Sequence, residues 1–314
     1  MARDSSIPSV PATVAITGAT GMVGSALVAR LLERGHKVRR LVRSGRNSQP
    51  GDMPWDPDGT QLDARVLAGC DAIVHLAGAP IAQRWTSAHK REIRESRVRG
   101  TSLIANAVAA MAVKPMVVLS GSAIGYYGDR GDEQLDEQSD SGTDFLARVS
   151  REWEGATAPI SNAGVRVVLL RTGIVLSPRG GALGKMLLPF QLGLGGRMGS
   201  GRQWMSWISL EDHVRAMEHT LFTAALHGPV NLVGPEPVTN ATFAATLGRV
   251  LSRPAVLPVP QIALRLAFGE MAESTILASQ RVSPRALLAS DFRFCHATLE
   301  AALRGTQEDR RIGG

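Results

Sequence analysis

Between Thr17 and Gly24 the chain reads Thr-Gly-Ala-Thr-Gly-Met-Val-Gly, which sets Gly18, Gly21 and Gly24 in a G-x-x-G-x-x-G pattern. The chemistry such a pattern serves is anion binding. A glycine at Gly18 permits a tight turn, one at Gly21 lets backbone approach a diphosphate, and one at Gly24 lets a helix pack closely on a sheet. The phosphates would lie on the N–H groups of the turn and first helical residues, Thr20, Met22 and Val23 among them, at the positive end of the helix. A glycine-rich turn with no ligand is the bland alternative.

A second position says which dinucleotide. An acid at the end of the next strand would hold the ribose 2′-hydroxyl of NAD, and an arginine there suits the 2′-phosphate of NADP. Here the chain runs Leu41-Val42-Arg43-Ser44-Gly45-Arg46, with no Asp or Glu between Glu33 and Asp52. Arg43, helped by Ser44 and Arg46, favours NADP(H). A solvated basic loop is the other reading.

These residues need a strand before the turn and a helix after it. Thr13–Thr17 (TVAIT) reads as the strand, and Met22–Arg34 as the helix, with Val23, Leu27 and Leu31 on one face. Further strands are expected at Lys37–Val42, Asp71–Leu76, Met116–Ser120 and Val165–Arg171. Helices are expected at 87–112 and over Asp144–Asn162. This alternation predicts a Rossmann-type, doubly wound parallel sheet of βαβ units. After Arg171 the texture changes: 177–202 is rich in glycine, Trp204–Ser209 reads as a strand, Leu210–Thr223 as a helix and Pro229–Val233 as a strand. The rest is mostly helical with proline punctuation. The expected division is a flexible lead-in over 1–12 and an NADP-binding domain over 13–176, completed by 204–233. A smaller, mostly helical substrate-side subdomain takes 177–203 and 234–305, and 306–314 is a flexible tail.

Composition removes other classes. The 314 residues are 44% hydrophobic and 20% charged, enough apolar content for a large core. No run of ~18 apolar residues suggests a transmembrane helix, and the first residues lack the apolar stretch of a signal peptide. Two cysteines, Cys70 and Cys295, without ligand spacing, argue against a metal site or disulfide framework and for the cytoplasm. The net charge of +7 is spread along the chain and aromatics are 4%, which disfavours a nucleic-acid partner. No membrane partner is expected either.

Beyond TGATGMVG (17–24) and LVRS (41–44), the chain carries WDP (55–57), HLAGAP (75–80), RWTSAHKREIRESRV (84–98), SGSAIGYYG (120–128) and REWE (151–154). LLRTGIVLSPRGGAL (169–183), GSGRQWMSWIS (199–209), NLVGPEPVTNATF (231–243), RPAVLPVP (253–260) and GEMAE (269–273) follow. In these blocks, from Val14 to about Leu303, the chain resembles the extended short-chain dehydrogenase/reductase superfamily, in particular its atypical "epimerase family protein" branch. The resemblance implies an NADP(H)-binding oxidoreductase or nucleotide-sugar-epimerase-like enzyme of unassigned substrate. It implies that Leu76, Ala77 and Gly78 line the cofactor's ribose and diphosphate, and that Thr172, Gly173 and Ile174 lie at the nicotinamide amide. Ser122 matches the serine that polarises a substrate carbonyl or alcohol. Trp55 either flanks the adenine or sits in the core.

The superfamily's Tyr-x-x-x-Lys dyad, in which lysine lowers the phenol pKa for proton exchange, is missing. The two tyrosines are Tyr126 and Tyr127, and the lysines are Lys37, Lys90, Lys114 and Lys185. Three accounts stand open: Tyr126 or Tyr127 supplies the proton with Arg148 or Arg130 nearby; substrate or water supplies it; or the protein is a non-catalytic NADP(H)-binding regulator or sensor. Ser209 stands where relatives often carry histidine, Asp212 is expected to cap or pair at a helix start, and His213 to be structural. Glu95, Ser96 and Arg97 either reach the cleft or form a solvated face. The small-molecule substrate is unknown, and monomer and homodimer, the latter through 87–112 and 144–162, are both compatible with the sequence.

Overall fold

The computed structural model describes residues 11–43 and 48–312. The expected lead-in up to residue 10 lies outside the described residues, as do Ser44, Gly45 and Arg46. In chain order the first strands are β1 (Thr13–Thr17), β2 (Lys37–Val42), β3 (Met53–Pro54), β4 (Ala72–His75), β5 (Val117–Ala123) and the short β6 (Gln134–Leu135). The later ones are β7 (Arg166–Thr172), β8 (Ile174–Leu176), β9 (Trp204–Met205), β10 (Trp207–Ser209), β11 (Gly228–Leu232), β12 (Val238–Thr239) and β13 (Arg281–Val282). Between them run α1 (Met22–Glu33), α2 (Ser87–Ala110), α3 (Phe145–Gly155), α4 (Ala158–Asn162) and α5 (Gly181–Gln191). Then come α6 (Leu210–Phe222), α7 (Asn240–Val250), α8 (Gln261–Phe268), α9 (Arg285–Ala289) and α10 (Leu299–Ile312).

The main sheet has seven strands in the order β11-β7-β5-β4-β1-β2-β3, each neighbour parallel. It is a Rossmann-type doubly wound sheet. Alternate residues of each strand face opposite layers. Val14, Ile16, Val74 and Leu119 pack with Leu27 and Leu31 of α1 and Met217 and Leu221 of α6. Ala15, Ile73 and Val118 pack with Leu103, Ile104 and Val108 of α2. The order reverses at β1, whose neighbours are β2 and β4. The carboxyl ends of β1 and β4 therefore flank a switch point, where open α/β sheets receive ligands.

Two expectations change in detail. The helix over Asp144–Asn162 is two helices, because Pro159 lacks the N–H that a continuous helix would need and sits instead in the first turn of α4. The strand expected at Trp204–Ser209 breaks at Ser206 into β9 and β10 and joins two-stranded pairs with β12 and β8, so only β11 completes the main sheet. Ser206 is turned aside: its hydroxyl donates to the Gln280 carbonyl and accepts from Val282 N–H. A further core joins Leu183, Leu187, Trp207, Phe243, Leu247 and Leu303, seating α5, α7 and α10 together. Among the described residues no helix is long and apolar enough to cross a membrane.

Candidate functional site

The turn from β1 to α1 is built around missing side chains. Gly18 has φ +68, and a Cβ there would meet the Leu76 carbonyl carbon at 2.9 Å. A Cβ at Gly24 would lie 2.1 Å from the Gly18 carbonyl oxygen, so helix and turn touch backbone to backbone. Gly21 is the N-cap of α1, and among the described residues no side chain caps that end. The leading N–H groups of such a helix are therefore left for an anion.

The opposite wall is Leu76-Ala77-Gly78. The Thr17 hydroxyl accepts from the N–H groups of Leu76 and Ala77 at 3.1 and 3.3 Å. Its proton is thus left for Nδ1 of His75 at 2.7 Å. His75 is fully buried and desolvation lowers its pKa to about 4, so the ring is neutral and pins the wall rather than carrying charge. From α2, Ser96 Oγ accepts from Ala79 N–H at 3.0 Å, and Arg97 donates to the Ala79 carbonyl at 3.1 Å. A Cβ on Gly78 would lie 3.4 Å from the Arg97 Cζ, and the guanidinium rests 5.1 Å from the Trp153 ring centre. Among the described residues no carboxylate pairs with Arg97. Burial pulls its pKa down to about 10, which leaves it a cation with uncompensated charge. Of the three α2 residues considered for the cleft, Ser96 and Arg97 reach its wall, whereas Glu95 is exposed. Arg43 is exposed at the end of β2, and Ser44 lies outside the described residues. Trp55 is a core residue, buried edge-on to His75 at 5.8 Å.

At the end of β5, Ser122 donates to Glu154 Oε1 at 2.6 Å. Glu154 comes from α3 and is held by both faces of the Arg171 fork, each bond 2.9 Å. Sequence reasoning missed Glu154 and Arg171 as a pair. The available signal was a charge ending an apolar strand, VRVVLLR, since a buried guanidinium demands a partner. Arg171 lies opposite Ser122 in the β5–β7 register, and its side chain is 4% exposed.

The tyrosines have different surroundings. Tyr127 is fully buried; its hydroxyl donates to Asn231 at 2.7 Å and accepts from Arg171 at 3.1 Å. Burial pushes its pKa up to about 12, against the opposing pull of Arg171. Tyr126 is half-buried with the Arg171 guanidinium 3.5 Å from its ring centre, and among the described residues nothing hydrogen-bonds its hydroxyl. The cation beside the phenols is therefore Arg171. Arg148 instead donates to the Thr143 carbonyl, and Arg130 pairs with Glu133.

After β7, the Thr172 hydroxyl meets Nε2 of buried His213 at 3.1 Å. Gly173 has no space for a side chain, since a Cβ would lie 2.6 Å from the Ser206 carbonyl. Ile174 N–H donates to that same carbonyl at 2.9 Å. Ser209 caps α6 by accepting from Asp212 N–H at 3.0 Å. Asp212 in turn accepts from the N–H groups of Cys295 and His296 at 2.7 and 2.8 Å. That cluster fastens the segment leading into α10.

A family model described as the NAD dependent epimerase/dehydratase family matches residues 14–234, and one described as a domain of unknown function, DUF1731, matches 259–305. An epimerase family protein of Mycobacterium bovis is 47% identical over 294 residues, 93% of this chain and 96% of the relative. The crystal structure of the human epimerase family protein SDR39U1 with NADPH superposes with a TM-score of 0.86 at 35% identity. It covers 95% of this chain and 99% of that one. A Corynebacterium glutamicum structure described as a nucleoside-diphosphate sugar epimerase superposes with a TM-score of 0.77 at 40% identity, over 97% of this chain and 62% of that one.

Proposed function

The chain belongs to the NAD dependent epimerase/dehydratase family, and on that premise we propose that it is an NADP(H)-dependent oxidoreductase or epimerase-like enzyme acting on a secondary alcohol or the corresponding ketone. The observation that carries this reading is the β1–α1 turn, where Gly24 and Gly18 meet without room for a methyl group beside an uncapped helix end. The NADPH complex of the human relative supports the same cofactor. Gly18, Gly21 and Gly24, with the backbone of Thr20, Met22 and Val23, would receive the diphosphate against Leu76, Ala77 and Gly78. Arg97 adds a cation behind that wall, and Arg43, with Ser44, would take the 2′-phosphate. Thr172, Gly173 and Ile174 are assigned to the nicotinamide end. When bound, the cofactor supplies or accepts a hydride.

The chain's own groups then govern the proton. Because the Ser122 hydrogen is donated to Glu154, whose two oxygens Arg171 grips, the serine oxygen presents lone pairs and is suited to accept a hydrogen bond from a substrate hydroxyl. Tyr126, whose hydroxyl has no hydrogen-bond partner among the described residues, is the proton-exchange candidate, and Tyr127 belongs to the supporting frame.

The test is a thermal-shift titration with NADPH and NADH, alongside Arg43→Asp. A ligand at one hundred times its Kd stabilises by roughly 2.7 kcal/mol. We expect a clear upward shift with NADPH, a smaller one with NADH, and loss of the preference in Arg43→Asp. If folded protein, freed of retained cofactor, fails to shift with any dinucleotide, the cofactor assignment is wrong.

A further inference from the structure

Twelve large apolar side chains are exposed among the described residues, and eight of them fall in two short segments, 188–194 and 256–268. The two segments are neighbours. Leu257 N–H donates to the Gly195 carbonyl at 3.1 Å, Val259 N–H to the Arg197 carbonyl at 2.9 Å, and Arg253 to the Gln191 carbonyl at 2.9 Å. Leu188 and Leu192 stand one helical turn apart at the end of α5, as do Ile262 and Leu266 on α8. Helix α8 buries only Leu264, while Ile262 and Leu266 are 69% and 73% exposed. A soluble surface scatters such residues, and a contiguous set marks something that covers it.

Charge says what kind of cover. No Asp or Glu occurs between Glu154 and Glu211, or between Glu236 and Glu270. Around the apolar residues stand Lys185, Arg197 and Arg253, all exposed and bonded only to backbone carbonyls among the described residues. Arg265, between Ile262 and Leu266 on α8, pairs with Glu273. A second copy meeting this face through a twofold axis would bring the same cations against themselves. An anionic lipid surface complements both the apolar residues and the charges around them.

We propose that the face formed by α8, the end of α5 and the segments 191–197 and 253–259 is a docking surface for an anionic bilayer. The chain lies on the headgroups and does not cross them, so it needs no spanning helix, and none is found among the described residues. This departs from the expectation of no membrane partner, which rested on the absence of a long apolar run and on charge spread along the chain, because the fold gathers cations from distant segments beside one apolar face.

Cosedimentation of the full chain with vesicles tests it. We expect binding to phosphatidylglycerol mixed with phosphatidylcholine at least tenfold stronger than to phosphatidylcholine alone. Each cation reaching the surface is worth roughly fivefold, and added salt weakens the interaction. Leu192→Ser combined with Ile262→Ser and Leu266→Ser should remove most of the binding while the melting temperature stays unchanged, since these side chains are exposed. Arg197→Glu with Arg253→Glu, which leaves the apolar residues in place, should also weaken it. Absence of binding to the anionic vesicles, or equal binding to both compositions, overturns the proposal. So does self-association in lipid-free solution, seen by light scattering and abolished by the serine variant.

Discussion

Gly24 has less room than any neighbour of the candidate cofactor turn, because a methyl group there would meet the Gly18 carbonyl oxygen at 2.1 Å. Neither atom is a flexible side-chain end, so Gly24→Ala must separate α1 from the turn. We expect a loss of about 1–3 kcal/mol in stability, measurable by urea denaturation, together with loss of the NADPH-dependent thermal shift. The two tyrosines offer a sharper contrast. Tyr127→Phe leaves Asn231 and Arg171 with an unmet partner in the interior and should cost about 1–3 kcal/mol. Tyr126→Phe removes a hydroxyl that is not hydrogen-bonded among the described residues and should leave the melting temperature near the parent value. Once a substrate is in hand, the Tyr126→Phe variant is expected to lower kcat more than KM. An unchanged kcat would remove Tyr126 from the chemistry.

Elements that declare themselves locally were legible in the sequence. TVAIT followed by the glycine turn and an amphipathic run announces β1 and α1, because period and turn chemistry reside in neighbouring residues. Glu154 and Arg171 were not legible as a pair, since their meeting depends on the β5–β7 register, which sets Ser122 beside Arg171. The strand at 204–209 shows the same limit: alternation identifies extended chain but not the sheet it joins, and Ser206 diverts it toward Gln280 and Val282. The start of α6 is another long-range junction, where buried Asp212 receives two backbone N–H groups from 295–296. Asp212→Ala should therefore cost roughly 2–3 kcal/mol, hydrogen bonds to a charged group being stronger than neutral ones. Limited proteolysis should then release the α10 segment first. A variant as resistant as the parent would mean that the core around Leu299 and Leu303 holds α10 without this clamp.

At the scale of the whole molecule, two buried histidines set an acid limit. His75 and His213 both have pKa values lowered to about 4 by burial. Below pH 6.5 the unfolded chain takes up protons that the folded chain refuses. Their contribution is therefore fully present above about pH 6.5 and is lost as pH falls toward 4, on the order of 3 kcal/mol for each ring. Melting temperatures measured across this window should fall, and the slope should lessen in His75→Gln. A profile identical in that variant would show that other groups govern acid sensitivity.

The main sheet's β11 pairs with β7, yet the chain leaves the sheet between them for α5 and the 192–203 loop. During synthesis β7 therefore waits as an open edge until residues 228–232 emerge. Such a delayed, long-range pairing is slow and exposes an apolar strand meanwhile. A chain cut after β7 would keep the whole glycine turn and still carry an uncovered edge. For that reason the cofactor half is expected to aggregate when produced alone, and the rest of the chain to be required for β11 to cover that edge.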